Sequence, residues 1–306
     1  MAENSPDPGA VYDCLQGQLA ETSCVGHGDE IVRYGAFVGS VIESHSCLVR
    51  AMEYGRNLIR SSTEAGVSFA SGTVILADSM SGSRGRFSRR WHAPKGGVWG
   101  CMIHANTFLP KSRQLISLGV GVACCETVRS FGGQGAELRW VNDVLVNGKK
   151  IAGFLLETYT DHLHGEEFTL VGFGININNR SFPPELQETA ISLVEILGKE
   201  IDLTDFTTLF LAKLAWYFGL LYYEEVLELS GESCSGHDGG HPLLERWRQL
   251  SSTVGKRVIY GFDVVNSPLY QAEVLAIDEY GGLILRLDDG HIKKEYSGEV
   301  RYLSKT

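Results

Sequence analysis

The sequence predicts an α+β protein in two unequal parts. A mixed, largely antiparallel sheet packed with helices is expected over residues 41–250, then a small β-barrel over 251–306, with residues 1–40 as an arm and lead-in. Three observations carry this. Asn147-Gly148 separates two β-rich runs, Leu138 to Val146 and Lys149 to Tyr159, and an Asn-Gly pair so placed is the strongest short-range hairpin signal. Helical apolar spacing recurs at Leu48, Met52, Leu58 and Ile59, and again at Leu115, Leu118, Val122 and Cys125. After Ser252 the texture changes to short strands divided by Tyr280-Gly281-Gly282, Asp288-Asp289-Gly290 and Ser297-Gly298, which is the spacing of a small barrel.

Taken in order, residues 1–40 are rich in Pro, Gly, Asp and Ser early on and hold one helical pattern, around Val11 to Leu19. A loosely attached arm is expected, followed by a first strand near Ala36 to Ile42. Glu43-Ser44-His45-Ser46 reads as a strand-to-helix turn with N-cap candidates, ahead of a helix over Cys47 to Arg60. Strands over Val67 to Leu76 and Gly97 to His104 bracket the stretch Ser79 to Trp91. A helix over Gln114 to Ser130 stops at Gly132-Gly133, where glycine accepts the left-handed cap. The polar turn Asp161 to Glu166 leads into a third strand, Glu167 to Ile175, which completes an antiparallel meander.

Phe206 to Tyr223 is apolar, but Lys213 interrupts it, Thr204 and Asp205 cap its start, and Glu224-Glu225 continue it. A buried amphipathic helix is expected rather than a membrane span. Ser230 to Gly240 is Gly-rich and reads as a flexible loop before Leu243 to Gln249. The last strands are placed at Val254 to Tyr260, Leu269 to Ile277, Leu283 to Leu287, His291 to Tyr296 and Val300 to Leu303.

With 27 Lys+Arg against 37 Asp+Glu, the chain offers no general surface for nucleic acid or an anionic membrane. Seven cysteines (Cys14, Cys24, Cys47, Cys101, Cys124, Cys125, Cys234) are odd in number and show no C-x-x-C spacing, so they read as reduced thiols in a cytoplasmic protein. The start, MAENSPDPGA, lacks the basic and apolar regions of a secretory signal. The pairs His162/His164 and His237/His241 lie in turn or Gly-rich contexts without further ligands, and no metal site is assigned.

Against this acidic background, Ser79 to Trp91 packs Arg84, Arg86, Arg89 and Arg90 into seven residues, with Gly82 and Gly85 set among small residues. Guanidinium forks match phosphate and carboxylate oxygens, and glycine lets backbone approach a ligand. Three further segments have the same character. Arg139-Trp140-Val141-Asn142-Asp143 and Lys150-Ile151-Ala152-Gly153 flank the hairpin, and Gly172-Phe173-Gly174-Ile175-Asn176 ends the third strand. Singly, each has a structural reading as a polar strand position or a bulge. In this order they form a set.

That set resembles the biotin-protein ligases, whose pattern is an Arg/Gly loop ending in Trp, then Lys-Trp-Pro-Asn-Asp, Lys-(Leu/Ile)-Ala-Gly, Gly-x-Gly-Ile-Asn, and a small barrel with a Gly-Glu segment, here Gly298-Glu299. The resemblance covers roughly residues 40 to 305. It implies a class II synthetase-like sheet, an SH3-like terminal barrel, and ATP-dependent activation of biotin followed by transfer to a lysine of a biotin carboxyl carrier domain. It also implies Mg²⁺ arriving with ATP, and the form without a DNA-binding domain, since the residues ahead of residue 40 are few and acidic. A homodimer is compatible with it. Lys150, Arg84 and Arg86 would be catalytic. Ser44, His45, Ser46, Met80, Ser83, Trp91 and Gly153 would join them around biotin, and Arg89, Asn142, Asp143, Gly174 and Asn176 would meet the nucleotide. The arginine loop would close over the acyl-adenylate and shield it from water. No enzyme nucleophile is needed.

Departures from the pattern concentrate at the ring pocket: His45 stands for threonine and Met80 for glutamine, while Ser83 and Ser88 replace loop glycines. Arg139 for Lys and Val141 for Pro are mild in a strand. A lipoate, octanoate or other acyl ligase on the same fold, and a relative that binds an acyl-adenylate without transfer, stay open as alternatives.

Overall fold

The computed structural model describes residues 2–21, 27–231 and 241–303. Cys24, Cys234, His237 and most of the expected Gly-rich loop lie outside the described residues. The sheet grows from the hairpin outward. Asn147 (φ 52°) and Gly148 (φ 77°) both take the left-handed conformation, giving the primed turn that joins β5 (Asp143–Val146) to β6 (Lys149–Thr160). β7 (Glu167–Ile175) pairs antiparallel with β6 from Thr160 opposite Glu167 to Ala152 opposite Ile175, completing the meander.

β7 then meets β3 (Val98–Ala105), β3 meets β2 (Thr73–Ala77), and β2 takes β1 (Ile42–His45) as a parallel neighbour. With β4 (Ala136–Arg139) beyond β5, the order is β1-β2-β3-β7-β6-β5-β4.

Alternation along the strands divides the core in two. Ile75, Cys101, Ile103 and Leu170 pack on one face with Met52 and Ile59 of α3 (Ala51–Glu64). Val74, Leu76, Met102, Val171 and Phe173 face α4 (Pro110–Ser130) and α6 (Leu203–Ser230). α6 is buried along most of its length, and the Asp202 carboxylate, rather than Thr204 or Asp205, caps it by accepting from the N–H groups of both. Lys213 is accommodated by Gln18 at 3.0 Å and Glu126 at 3.4 Å. Among the described residues, no helix is long and apolar enough to cross a membrane.

The residues ahead of the sheet are not loosely attached, contrary to the expectation for an arm. α1 (Pro8–Glu21) and α2 (Gly28–Gly35) pack on α6 and bury Val11, Leu15, Ile31 and Val32. A Cβ at Gly219 would overlap the Ile31 carbonyl, and one at Gly35 the Ala215 carbonyl, so these glycines set how closely α2 and α6 approach.

Four expectations of local structure need correction. The strand expected over Val67 to Leu76 is only Thr73–Ala77, with a turn at Ser71 and Gly72 ahead of it. Ala36 to Val41 is turn, and the first strand is Ile42–His45, so Ser44 and His45 lie in a strand rather than in a turn. The helix expected from Cys47 begins at Ala51 after Arg50, with no side-chain cap. Leu138 to Val146 is two strands, β4 and β5, divided at Trp140 to Asn142, where the Trp140–Val141 peptide is cis.

α5 (Leu193–Leu197) and α7 (Pro242–Leu250) lead to the second part. There β8 (Arg257–Gly261), β9 (Tyr270–Ile277), β10 (Leu283–Leu287), β11 (Ile292–Glu295) and β12 (Glu299–Tyr302) form one antiparallel sheet in the order β11-β10-β9-β8-β12. The Tyr260 hydroxyl on β8 donates to Glu295 at 2.8 Å, bringing β11 round toward β8. The Trp140 indole N–H donates to the Gly281 carbonyl at 2.9 Å and ties this sheet to the larger one.

Candidate active site

The hairpin, the third strand and the arginine loop converge on one cavity of about 740 Å³, closed on one side by the C-terminal sheet. Met80, Ser83, Arg84, Arg86, Arg89, Trp91, Asn142, Asp143, Lys150, Gly153, Gly174 and Asn176, all expected from sequence, line it. Ser44, His45 and Ser46 do not. They lie at the end of β1 and just beyond it, the His45 ring edge-on to Tyr54 at 4.6 Å and the Ser46 carbonyl accepting from the Ser79 hydroxyl at 3.3 Å. Sequence reasoning missed Arg50, Met52, Phe173, Thr189, Ala190, Asp263, Val265 and Arg301, which complete the wall. Phe173 sits between the two glycines of the Gly172 to Asn176 motif, which could have marked it; the neighbours of the others carry no such motif.

The loop is a short hairpin. Ser83 and Trp91 close it: the Trp91 N–H donates to the Ser83 carbonyl at 3.1 Å, and the Ser83 hydroxyl donates to the Trp91 carbonyl at 2.8 Å. Serine in place of glycine thus adds a bond at the loop's base. At the crest, Phe87 adopts φ 55°, and the Gly85 N–H donates to the Arg89 carbonyl at 2.7 Å.

The arginines then divide. Arg86 donates to the Asn142 side-chain oxygen, Oδ1, at 3.2 Å, and burial presses its pKa below the ordinary value. Asn142 is in turn fixed by donating to the Phe154 carbonyl at 2.6 Å. Arg89 turns to the C-terminal sheet, with a fork onto Glu299 at 2.7 and 2.8 Å and a further contact to Asp263 at 3.3 Å. Its role in this conformation is to dock the loop. Arg84 and Arg90 have no acidic partner among the described residues.

Lys150 is aimed by Asp143. The two side chains form a close ion pair, and Arg139 donates to the other Asp143 oxygen at 2.6 and 3.2 Å. Burial alone would raise the Asp143 pKa, but Lys150 and then Arg139 outweigh it and hold the carboxyl down at about 2. The ammonium lies 5.2 Å from the centre of the Trp91 ring. On the backbone side, the Lys150 N–H donates to the Thr189 carbonyl at 2.8 Å.

Two glycines keep the floor open. A Cβ at Gly153 would come within 2.6 Å of the Lys150 side chain, and one at Gly174 within 2.5 Å of the Trp91 indole. Asn176 continues this floor, its side-chain oxygen accepting from Asn179 at 3.1 Å. At another wall, the Met80 sulfur accepts the Ala51 N–H at 3.3 Å, occupying a thioether where an amide would offer a donor.

Eight cationic side chains and four carboxylates line the cavity, so it is locally positive within an acidic protein and suits a polyanion. No group of three His, Cys, Asp or Glu side chains with metal-holding geometry occurs among the described residues. Cys124 and Cys125 sit in α4 and line no part of the cavity, and burial raises both thiols, Cys125 to about 12, which leaves them poor nucleophiles.

Comparison with known proteins agrees with this arrangement. Residues 60–178 match the biotin/lipoate A/B protein ligase family. The chain is 30% identical over 233 residues to the bifunctional ligase/repressor BirA of Bacillus subtilis, across 75% of this chain and 66% of that protein, so it spans about two thirds of that relative's length. It is 26% identical over 218 residues to the biotin–[acetyl-CoA-carboxylase] ligase of Paracoccus denitrificans, across 69% of this chain and 83% of that one. The fold is that of the biotin protein ligase from Aquifex aeolicus solved in complex with biotin and ATP, with a TM-score of 0.66 at 21% identity over 87% of this chain and 99% of the other. The chain belongs to the biotin/lipoate A/B protein ligase family.

Proposed function

We propose that the protein is an ATP-dependent biotin-protein ligase, which activates biotin as biotinyl-5′-AMP and passes the biotinyl group to a lysine of a biotin carboxyl carrier domain. The observation that carries this is the placement of Lys150 and the arginine loop around a glycine-floored, positively charged cavity in a chain with net charge -10.

In the first step a biotin carboxylate oxygen attacks the α-phosphorus of ATP and pyrophosphate leaves. The two anions repel until cations lie between them. Lys150, held by Asp143, supplies one fixed positive charge, and Arg86, held by Asn142, supplies another. Arg84 and Arg90, free of carboxylates among the described residues, are available to the departing phosphates. Trp91 over the floor at Gly153 and Gly174 covers the mixed anhydride and keeps water from it.

In the second step the neutral amine of the carrier lysine attacks the acyl carbon, AMP leaves with the bonding electrons, and the amide nitrogen loses a proton. Within the cavity, the Asp143 carboxylate is engaged by Lys150 and Arg139, and Glu299 and Asp263 by Arg89. These residues do not form a cage for a resident ion, so Mg²⁺ enters as MgATP, held by the nucleotide phosphates. A cytoplasmic location fits the free thiols at Cys47, Cys101, Cys124 and Cys125.

A specific observation keeps lipoate or octanoate as a second reading. Met80 replaces an amide on the cavity wall, and Ser44 to Ser46 stand off it, so the end expected to grip the ureido ring is more apolar than the family pattern. Exchange of labelled pyrophosphate into ATP separates the two. Exchange dependent on biotin supports the first reading, and exchange that responds to lipoate or octanoate but not to biotin transfers the assignment to the second.

A further inference from the structure

Glu3 and Asn4 lie across the base of the arginine loop. The Glu3 N–H donates to both oxygens of Asp78, at 3.1 and 2.9 Å, and the Asn4 N–H donates to Asp78 Oδ1 at 3.1 Å. Among the described residues these are the donors to that carboxylate. Asp78 is 5% and Asn4 3% exposed, so the carboxylate itself is shielded from water and its bonds are charge-assisted. Asn4 is anchored from behind, its side-chain amide donating to Thr207 of α6 at 2.9 Å. Glu3 also reaches Lys95 at 2.7 Å.

Asp78 follows β2 directly and begins the approach to the loop, whereas Lys95 stands between the loop and β3. One short segment therefore ties both stems. Between this tie and the crest, the stems are joined to each other by the Met80 N–H on the Ala93 carbonyl at 2.9 Å and by the Ser83–Trp91 pair.

We propose that Glu3 and Asn4 form a strap that positions the arginine loop over the cavity, with Asp78 as a positioning residue that acts through the loop stems. Releasing the strap leaves a buried carboxylate unpaired and lets the stems part, drawing Arg84, Arg86 and Trp91 away from Lys150. The kinetic consequence rests on the ligase reading: affinity for ATP falls because binding must first draw the loop back, while the rate of activation at saturation holds because bound ATP restores Arg84, Arg86 and Trp91 to their places beside Lys150.

The loop carries its own reporter, since trypsin cleaves after arginine and cleavage follows the population of the open form. Asp78→Asn keeps the size but removes the charge and turns an amide toward the donors. Glu3→Pro leaves Asp78 in place and deletes the N–H it accepts. In the ligand-free full-length protein, both variants should be nicked after Arg84, Arg86, Arg89 or Arg90 on the order of tenfold faster than the parent, with unchanged circular dichroism. In pyrophosphate exchange, KM for ATP should rise by a similar factor with kcat within about twofold of the parent. If Asp78→Asn does not fold, Glu3→Pro decides alone. A parent-like nicking rate in Glu3→Pro overturns the strap whatever the activity. Faster nicking in a protein that activates no acid upholds the strap and removes the ligase reading instead.

Discussion

Replacing Lys150 with alanine should slow acyl-adenylate formation by about 10²- to 10³-fold, the range seen when one preorganised charge is removed from a transition state. The side chain is held on three sides, by the Asp143 carboxylate, by the face of Trp91 and by the Gly153 backbone, where even a methyl group would collide with it. A charge so fixed needs no reorganisation as negative charge builds on the α-phosphate. The protein should still fold, because Asp143 keeps its bonds from Arg139. Quenched-flow measurement of enzyme-bound adenylate, at saturating acid and MgATP, isolates this step from carrier transfer. A Lys150→Ala protein that forms adenylate at the parent rate would remove the lysine from the chemistry.

Replacing Asp143 with alanine should cost about 3–5 kcal/mol of stability, the usual penalty for removing one partner of a buried ion pair. Lys150 and Arg139 would then face each other without compensation. The same carboxylate gives the parent a pH signature. Its folded pKa is about 2, below the ordinary 3.8, so the unfolded chain binds the proton more readily. The stability it contributes, about 2 kcal/mol, is fully present above pH 3.8 and is lost as pH falls toward 2. Urea denaturation from pH 7 down to pH 2 should show this slope in the parent and a flatter one in Asp143→Ala. Parallel curves for the two proteins would mean that the carboxyl is not held down by its neighbours.

The elements that were readable from sequence are those whose cause is local. The Asn147-Gly148 turn, the strand Glu167–Ile175 and the stop of α4 before Gly132 each follow from backbone preferences within a few residues. What escaped depends on distant partners. α1 and α2 look like a loose arm by composition because their apolar residues are few, and their burial comes from α6, some two hundred positions away.

The site divides in the same way. Lys150, Gly153, Gly174 and Asn142 sit in motifs and fall where those motifs imply, on the cavity wall. Arg89 belongs to the arginine loop, yet its fork is taken by Glu299, a residue from the other sheet that no spacing rule connects to it. Arg50 has no motif around it and enters the wall only because the start of α3 follows β1 to the cavity's edge.

The decisive measurement is the intact mass of an apo biotin carboxyl carrier domain after incubation with the protein, ATP and Mg²⁺, with biotin, lipoate and octanoate in separate tubes. The expected result is a carrier heavier by one biotinyl group in the biotin tube and unchanged in the others, with the addition lost when the acceptor lysine of the carrier is replaced. A carrier left unmodified by biotin, while pyrophosphate exchange proceeds with lipoate or octanoate, would contradict the assignment of biotin as the acid.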